Sequence, residues 1–302
     1  MKFALLARVH RLYSHQRLKQ AAIERGHEFD MIDTLGCYLS LRDGRADVHA
    51  LGQPPSHYDA VIPRIGASAL TYGLAVVRQF QAEGVTVLNR SGGIAAAGDK
   101  LHSMQKLARE GVDMPLTTFA QDPNQAQAVL DTVGGAPVII KLLEGSLGMG
   151  VILAETNATA ISIIRAFRGA NVNILVQQFV AESAGTDIRA LVVGDEVVAA
   201  MKRTGLKGEF RSNLHRGGSA ESVDLSAEET AAAIRAARTI GLRVGGVDML
   251  RSNRGPVVLE VNATPGIEGI EKATGIDVAG KIIELLAVQT TIEKAQREQS
   301  NA

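Results

Sequence analysis

GVDMLRSNRGPVVLEVN, residues 246–262, holds two apolar runs joined by Ser252, Asn253, Arg254 and Gly255. Those four residues are turn formers, so the stretch predicts a β-hairpin with strands at 246–250 and 257–261. Three oxygen-bearing side chains interrupt the apolar pattern: Asp248, Glu260 and Asn262. Glu260 and Asn262 are two apart and so share a face. A three-residue loop of Asn253, Arg254 and Gly255, with the glycine left-handed, sets Asp248 directly opposite Glu260. Two carboxylates and an amide oxygen, with no histidine or cysteine, form a site for a hard cation. Magnesium or manganese suits it, with substrate phosphates completing the shell. A solvated hairpin face is the alternative. The apolar neighbours Val247, Met249, Leu259 and Val261 argue against that, because polar groups on buried strands need partners.

Upstream, Lys141 lies near the end of an apolar strand, 137–142, and a glycine-rich stretch containing Gly145, Ser146, Gly148 and Gly150 follows. Glycines let backbone amides approach phosphate oxygens, and a lysine supplies a point charge beside them. Taken alone, the stretch is equally compatible with an ordinary hairpin turn. It leads into a second strand, 151–154, and lacks a Gly-Lys-Ser/Thr ending, so it is not a P-loop. Asp187 and Arg189 share one face of a later strand, where they either pair with each other or meet an anion. Lys202, Arg203, Lys207, Arg211 and Arg216 surround one acid, Glu209, and are interleaved with glycines. That pattern predicts a mobile loop that closes on phosphates or an acidic peptide.

Periodicity organises the rest into α/β lobes. Strands at 2–7, 27–32, 60–65 and 85–88 alternate with helices at 14–25, capped by Ser14, and 73–83. No Gly-x-Gly-x-x-Gly follows the first strand, so this opening lobe is not a dinucleotide fold. Further helices are expected at 99–110, 158–168, 227–240 and 278–288, and strands at 174–179, 188–193 and 196–201. The reading divides the chain into an N-terminal lobe (1–95), a central lobe (96–175), a C-terminal lobe carrying the metal site (176–290) and a frayed polar tail (291–302).

With 302 residues there is ample core for several lobes. Lysine plus arginine and aspartate plus glutamate number 32 each, so no global field marks a nucleic-acid or membrane binder. Cys37 is the only cysteine, which excludes an internal disulfide and fits a reducing cytoplasm. No apolar run approaches the roughly 20 residues of a membrane helix. The histidines are scattered, no Gly-x-Ser-x-Gly elbow is present, and Cys37 has no evident partner, so covalent hydrolase chemistry has little support.

In order, Lys100, Lys141 with its glycine stretch, Gln177 to Val180, Asp187 to Arg189, Arg211 to Asn213, Asp248 and Glu260 to Asn262 resemble the ATP-grasp superfamily. Residues 61–66, 210–218 and 260–266 resemble its RimK family, glutamate ligases that modify the C-terminus of a small-subunit ribosomal protein. The resemblance implies an ATP-grasp fold behind an N-terminal α/β pre-ATP-grasp domain. It places Lys100 and Lys141 on ATP phosphates and the main chain of Gln178 and Phe179 on adenine, with Asp187 on the ribose side. Arg211, Ser212 and Asn213 would line the nucleotide and phosphates. Asp248, Glu260 and Asn262 would hold two metal ions, and Arg189 would stabilise charge developing during catalysis. Arg203, Lys207 and Arg216 are candidate substrate contacts. The expected partners are L-glutamate and an acidic C-terminal protein tail, without direct nucleic acid or membrane contact, and a homo-oligomer is expected. An amino-acid ligase acting on a small-molecule or coenzyme carboxylate is the alternative.

Overall fold

Apolar strands can be buried on both faces only where helices cover both, and the opening lobe is built that way. β1 (Lys2–Leu6), β2 (Glu28–Ile32), β5 (Ala60–Pro63) and β6 (Thr86–Val87) form a parallel sheet in the order β2-β1-β5-β6. α1 (Tyr13–Glu24), α2 (Leu70–Ala82) and α3 (Ser91–Gly98) flank it, and β3 (Tyr38–Arg42) and β4 (Arg45–His49) make a separate hairpin. The computed structural model describes residues 1–50, 52, 54, 57–143, 150–212, 214 and 217–300.

The middle lobe follows α4 (Lys100–Arg109). It comprises β7 (Thr117–Thr118), α5 (Ala126–Thr132), β8 (Val138–Leu142), β9 (Val151–Ala154), α6 (Asn157–Gly169) and β10 (Ile174–Gln178), in sheet order β7-β10-β8-β9. A division at residue 175 falls inside β10, all of which pairs with β8. The third sheet is antiparallel, in the order β13-β12-β11-β14-β15. Its strands are β11 (Thr186–Val193), β12 (Glu196–Thr204), β13 (Ser219–Ser222), β14 (Val244–Ser252) and β15 (Gly255–Asn262). α7 (Ala227–Ile240) starts on a capping box of Ser226 and Glu229 and ends at Gly241 in the left-handed conformation. α8 (Glu268–Thr274) and α9 (Val278–Ser300) close the chain.

The cores are shared unequally. Phe3, Leu5 and Leu18 of the first lobe pack in one cluster with Leu191 and Met201 of the third and Ile282 and Leu286 of α9. The middle lobe keeps its own cluster around Leu130, Val138, Ile140, Ile164 and Val176. First and third lobes therefore form one packed body, and the middle lobe is a separate body facing it.

Three local expectations are corrected. Ser14 does not cap α1: the helix begins at Tyr13 behind Leu12, and the buried Ser14 Oγ instead accepts from the Ile267 N–H at 3.1 Å. Up to Ser300 the polar tail is not frayed, and residues 301 and 302 lie outside the described residues. α9 runs on to Ser300, with Thr290 buried, Glu293 accepting from Thr86 Oγ1 at 2.9 Å, and Lys294 paired with Asp59. Partners on the first lobe, invisible in the local pattern, hold this polar segment helical. The hairpin reaches its expected pairing by another route. Asn253 and Arg254 form a two-residue turn closed by Ser252 opposite Gly255, which has φ +99°. A bulge at Leu259 then adds the residue that the turn lacks and sets Asp248 opposite Glu260.

Candidate active site

A cleft of about 1050 Å³ opens between the middle lobe and the body formed by the other two. Lys100, Lys141, Gln178, Phe179, Asp187, Arg189, Arg203, Arg211, Ser212, Asp248, Glu260 and Asn262 all line it. These twelve expected site residues come from the central and C-terminal sequence segments, and the fold brings them to one space. Gly150 directly precedes β9, whose first residue, Val151, lines the cleft. Gly145, Ser146, Gly148, Asn213 and Arg216 lie outside the described residues. Lys207 is exposed and does not line the cleft.

Lys141 projects from β8, and its Nζ donates to Gln177 Oε1 at 2.7 Å; Gln177 Nε2 donates on to Thr117 Oγ1 at 2.8 Å. Burial lowers the Lys141 pKa, Glu260 opposes that, and Lys100 reinforces it. An anion beside Lys141 would relieve both unfavourable effects. Lys100, at the first turn of α4, donates from Nζ to the Leu143 carbonyl at 2.9 Å, and burial lowers its pKa too. Two lysines with depressed pKa values thus face one opening, an arrangement suited to phosphates.

The acidic strands carry a four-residue network that sequence reasoning missed. Arg189 grips Asp248 through Nε and Nη2, both at 2.6 Å. Arg203 grips Asp187 at 2.6 and 2.5 Å and reaches Asp248 at 2.9 Å. Asp187 and Arg189 therefore do not pair with each other. Their neighbours on the adjacent strands offer better partners: Arg203 is opposite Asp187 on β12, and Asp248 is opposite Arg189 on β14. Burial acts to raise the Asp248 pKa, but the two arginines outweigh it and hold the carboxyl well below the usual range. Arg203 is a buried strand residue and not part of a mobile loop, and the carboxylate expected at the ribose is turned onto it.

Glu260 and Asn262 stay solvent-accessible at the cleft, joined by Asn262 Nδ2 donating to Glu260 Oε1 at 3.1 Å. No group of three His, Cys, Asp or Glu side chains close enough to hold a metal occurs among the described residues. The donor set is nevertheless all oxygen and fits a hard cation that draws its remaining ligands from phosphate and water. A cation using Asp248 competes with Arg189 and Arg203 for that carboxylate.

At the other end, Gln178 N–H donates to the Leu116 carbonyl at 2.8 Å and so has no backbone donor left for a base. Ile139, Leu142, Phe179, Val180 and Leu259 give the cleft apolar walls. Arg211 pairs with Glu209 at 2.8 Å and reaches the Val151 carbonyl at 3.5 Å, tying the basic segment to the middle lobe. Its base is held by Gly205 N–H donating to the Gly185 carbonyl at 2.8 Å.

A family model described as the RimK-like ATP-grasp domain matches residues 97–286, and one described as the RimK pre-ATP-grasp domain matches residues 1–94. The chain belongs to the RimK ATP-grasp family. A probable alpha-L-glutamate ligase of Picosynechococcus sp. is 55% identical over 286 residues, covering 95% of each chain. The ribosomal protein bS6–L-glutamate ligase of Escherichia coli is 53% identical over 293 residues, covering 97% of this chain and 98% of the relative. Among solved structures, the ATP-grasp ligase PsnB superposes with a TM-score of 0.76 at 23% identity over 95% of this chain and 98% of its own. D-cycloserine synthetase DcsG gives 0.73 at 19% over 96% and 100%. These two establish a common ATP-grasp fold. RimK-family membership implies the use of ATP and a divalent metal. No helix among the described residues is long and apolar enough to cross a membrane.

Proposed function

We propose that the protein is an ATP-dependent ligase that adds L-glutamate to the C-terminal carboxylate of ribosomal protein bS6. The observation that carries the chemistry is the meeting of Lys100, Lys141, Arg189 and Glu260 in one cleft between two bodies. The substrates follow from identity above 50% over nearly the whole chain to ligases with those names.

In this reading Asp248, Glu260 and Asn262 would hold two magnesium ions, which would supply charge neutralisation on the ATP phosphates. Lys100 and Lys141 donate to the phosphate oxygens, and Gln177 keeps the Lys141 ammonium oriented. The acceptor carboxylate attacks the γ-phosphorus, the bond to the β-phosphate oxygen breaks, and ADP leaves an acyl-phosphate. The glutamate amine then attacks the acyl carbon, forming the amide, expelling phosphate and losing a proton. Arg189 stabilises negative charge on the transferring phosphoryl group.

Incubation with ATP, magnesium, labelled L-glutamate and bS6 should release ADP and phosphate and give bS6 a ladder of glutamate increments by mass spectrometry. AMP with pyrophosphate, or label confined to small molecules, would refute the proposal. Glu260→Ala should abolish metal-dependent turnover, and retained turnover would reject the metal assignment.

A further inference from the structure

Arg64 follows β5 at the wall of the cleft and takes no part in the network above. Its Nη2 donates to the Pro265 carbonyl at 2.8 Å, whereas its Nε is buried without a hydrogen-bond partner among the described residues. It pairs with no acid among the described residues, and burial alone pushes its pKa down to about 10. A half-buried guanidinium with its Nε sealed from solvent and no acid beside it is costly, and such a group at a cleft wall is satisfied by an anionic ligand.

A second feature points the same way. Leu12, Tyr13 and Ser14, the opening of the twelve-residue α1, line the same cleft, and Arg64 lies close enough to His15 of this helix to disfavour its protonation. No side chain caps α1, its first turn holds no acid, and Ser14 Oγ is turned away to accept from Ile267. The positive end of the helix dipole is thus left open beside Arg64.

We infer that Arg64 and the N-terminus of α1 bind a carboxylate of the incoming L-glutamate, an assignment that rests on the ligase reading above. The position favours glutamate over the acceptor. The acceptor carboxylate must reach the γ-phosphate beside Lys141 and Arg189, and the Pro265 segment separates Arg64 from that group. Arg64 donates to Pro265, while a Cβ built on Gly246 would lie 2.7 Å from Pro265 Cβ and 3.9 Å from Arg189 Nε. The charges also match. Lys272 and Glu268 line the cleft as an exposed i, i+4 pair at 2.6 Å, and with Arg64 they leave one net positive charge against the single net negative charge of glutamate. Exposed pairs of this kind are weakly held. The substrate ammonium can therefore take Glu268, and its second carboxylate can take Lys272.

The test is steady-state kinetics of wild type, Arg64→Lys and Arg64→Met with ATP, L-glutamate and bS6, each substrate varied in turn. Loss of a charge-assisted hydrogen bond should raise the glutamate KM by about 10- to 100-fold in both variants. The KM values for ATP and bS6 should stay within about twofold. A glutamate KM within about twofold of wild type in Arg64→Lys, with an unchanged melting temperature, would overturn the inference, as would an increase confined to bS6. The two readings fail differently. Wild-type protein without glutamate-dependent ADP release sinks the ligase reading and this one with it, whereas normal wild-type turnover with unaffected variants sinks the Arg64 assignment alone.

Discussion

Replacing Arg203 by methionine should destabilise the protein severely, although a cation on a mobile substrate loop could be removed at almost no cost. Arg203 is 4% exposed and serves Asp187 and Asp248, themselves 9% and 3% exposed. With Arg189 the network is neutral: two guanidinium groups face two carboxylates. Methionine keeps the packing of the side-chain stem but leaves one uncompensated buried negative charge. Breaking a buried pair in this way costs about 3–5 kcal/mol, or roughly 5–8 °C in Tm at this chain length. Adding Asp187→Asn restores neutrality, since Asp248 still has Arg189. The double variant should therefore recover most of the loss. Urea denaturation followed by circular dichroism, with Tm from calorimetry, measures both variants. A loss below about 1 kcal/mol in the single variant, or a double variant no more stable than the single, would refute the network as a structural unit.

Truncation after Val288 should lower the urea midpoint by an amount corresponding to about 1–2 kcal/mol, because it removes the buried Thr290 and the partly exposed contacts of Glu293 and Lys294 with the first lobe. An unchanged midpoint would mean that the docked end of α9 contributes nothing. His15 is buried with Nδ1 donating to the Val9 carbonyl at 2.7 Å, and burial lowers its pKa from 6.5. The folded state thus disfavours its protonation. Its contribution is present in full above pH 6.5 and is lost as the pH falls toward the lowered folded-state value, so His15→Gln should flatten the stability profile below pH 6.5. Identical slopes in the two proteins would exclude His15 as the source.

Local pattern carried the lobes and most of the site because the decisive residues break apolar strands. Asp248, Glu260, Lys141 and Arg189 all stand out where a core side chain was due, and each lines the cleft. Arg64 broke its strand pattern in the same way, directly after the apolar residues 60–63, and that signal passed without a role being given to it. Partner choice was less legible. Asp187 with Arg189 is the natural pair on one strand, yet each turns to an adjacent strand, since cross-strand neighbours lie closer than residues two apart. The bulge at Leu259 was hidden as well. It compensates a turn one residue shorter than expected, and only the register of the folded hairpin reveals it.

The amino-acid sequence by itself determined the alternation of strands and helices, the all-oxygen donor set on the hairpin and the two lysines. Hydrophobic period, turn chemistry and ligand hardness are properties of neighbouring residues. Only the tertiary structure decided that the first and third lobes share one core while the middle lobe stands apart. It also decided that the end of α9 folds onto the first lobe, that Arg203 is buried between two carboxylates, and that Arg64 faces the cleft without a counter-charge among the described residues. Burial and pairing depend on groups far apart in the chain, and their energies exist only once the sheets have packed.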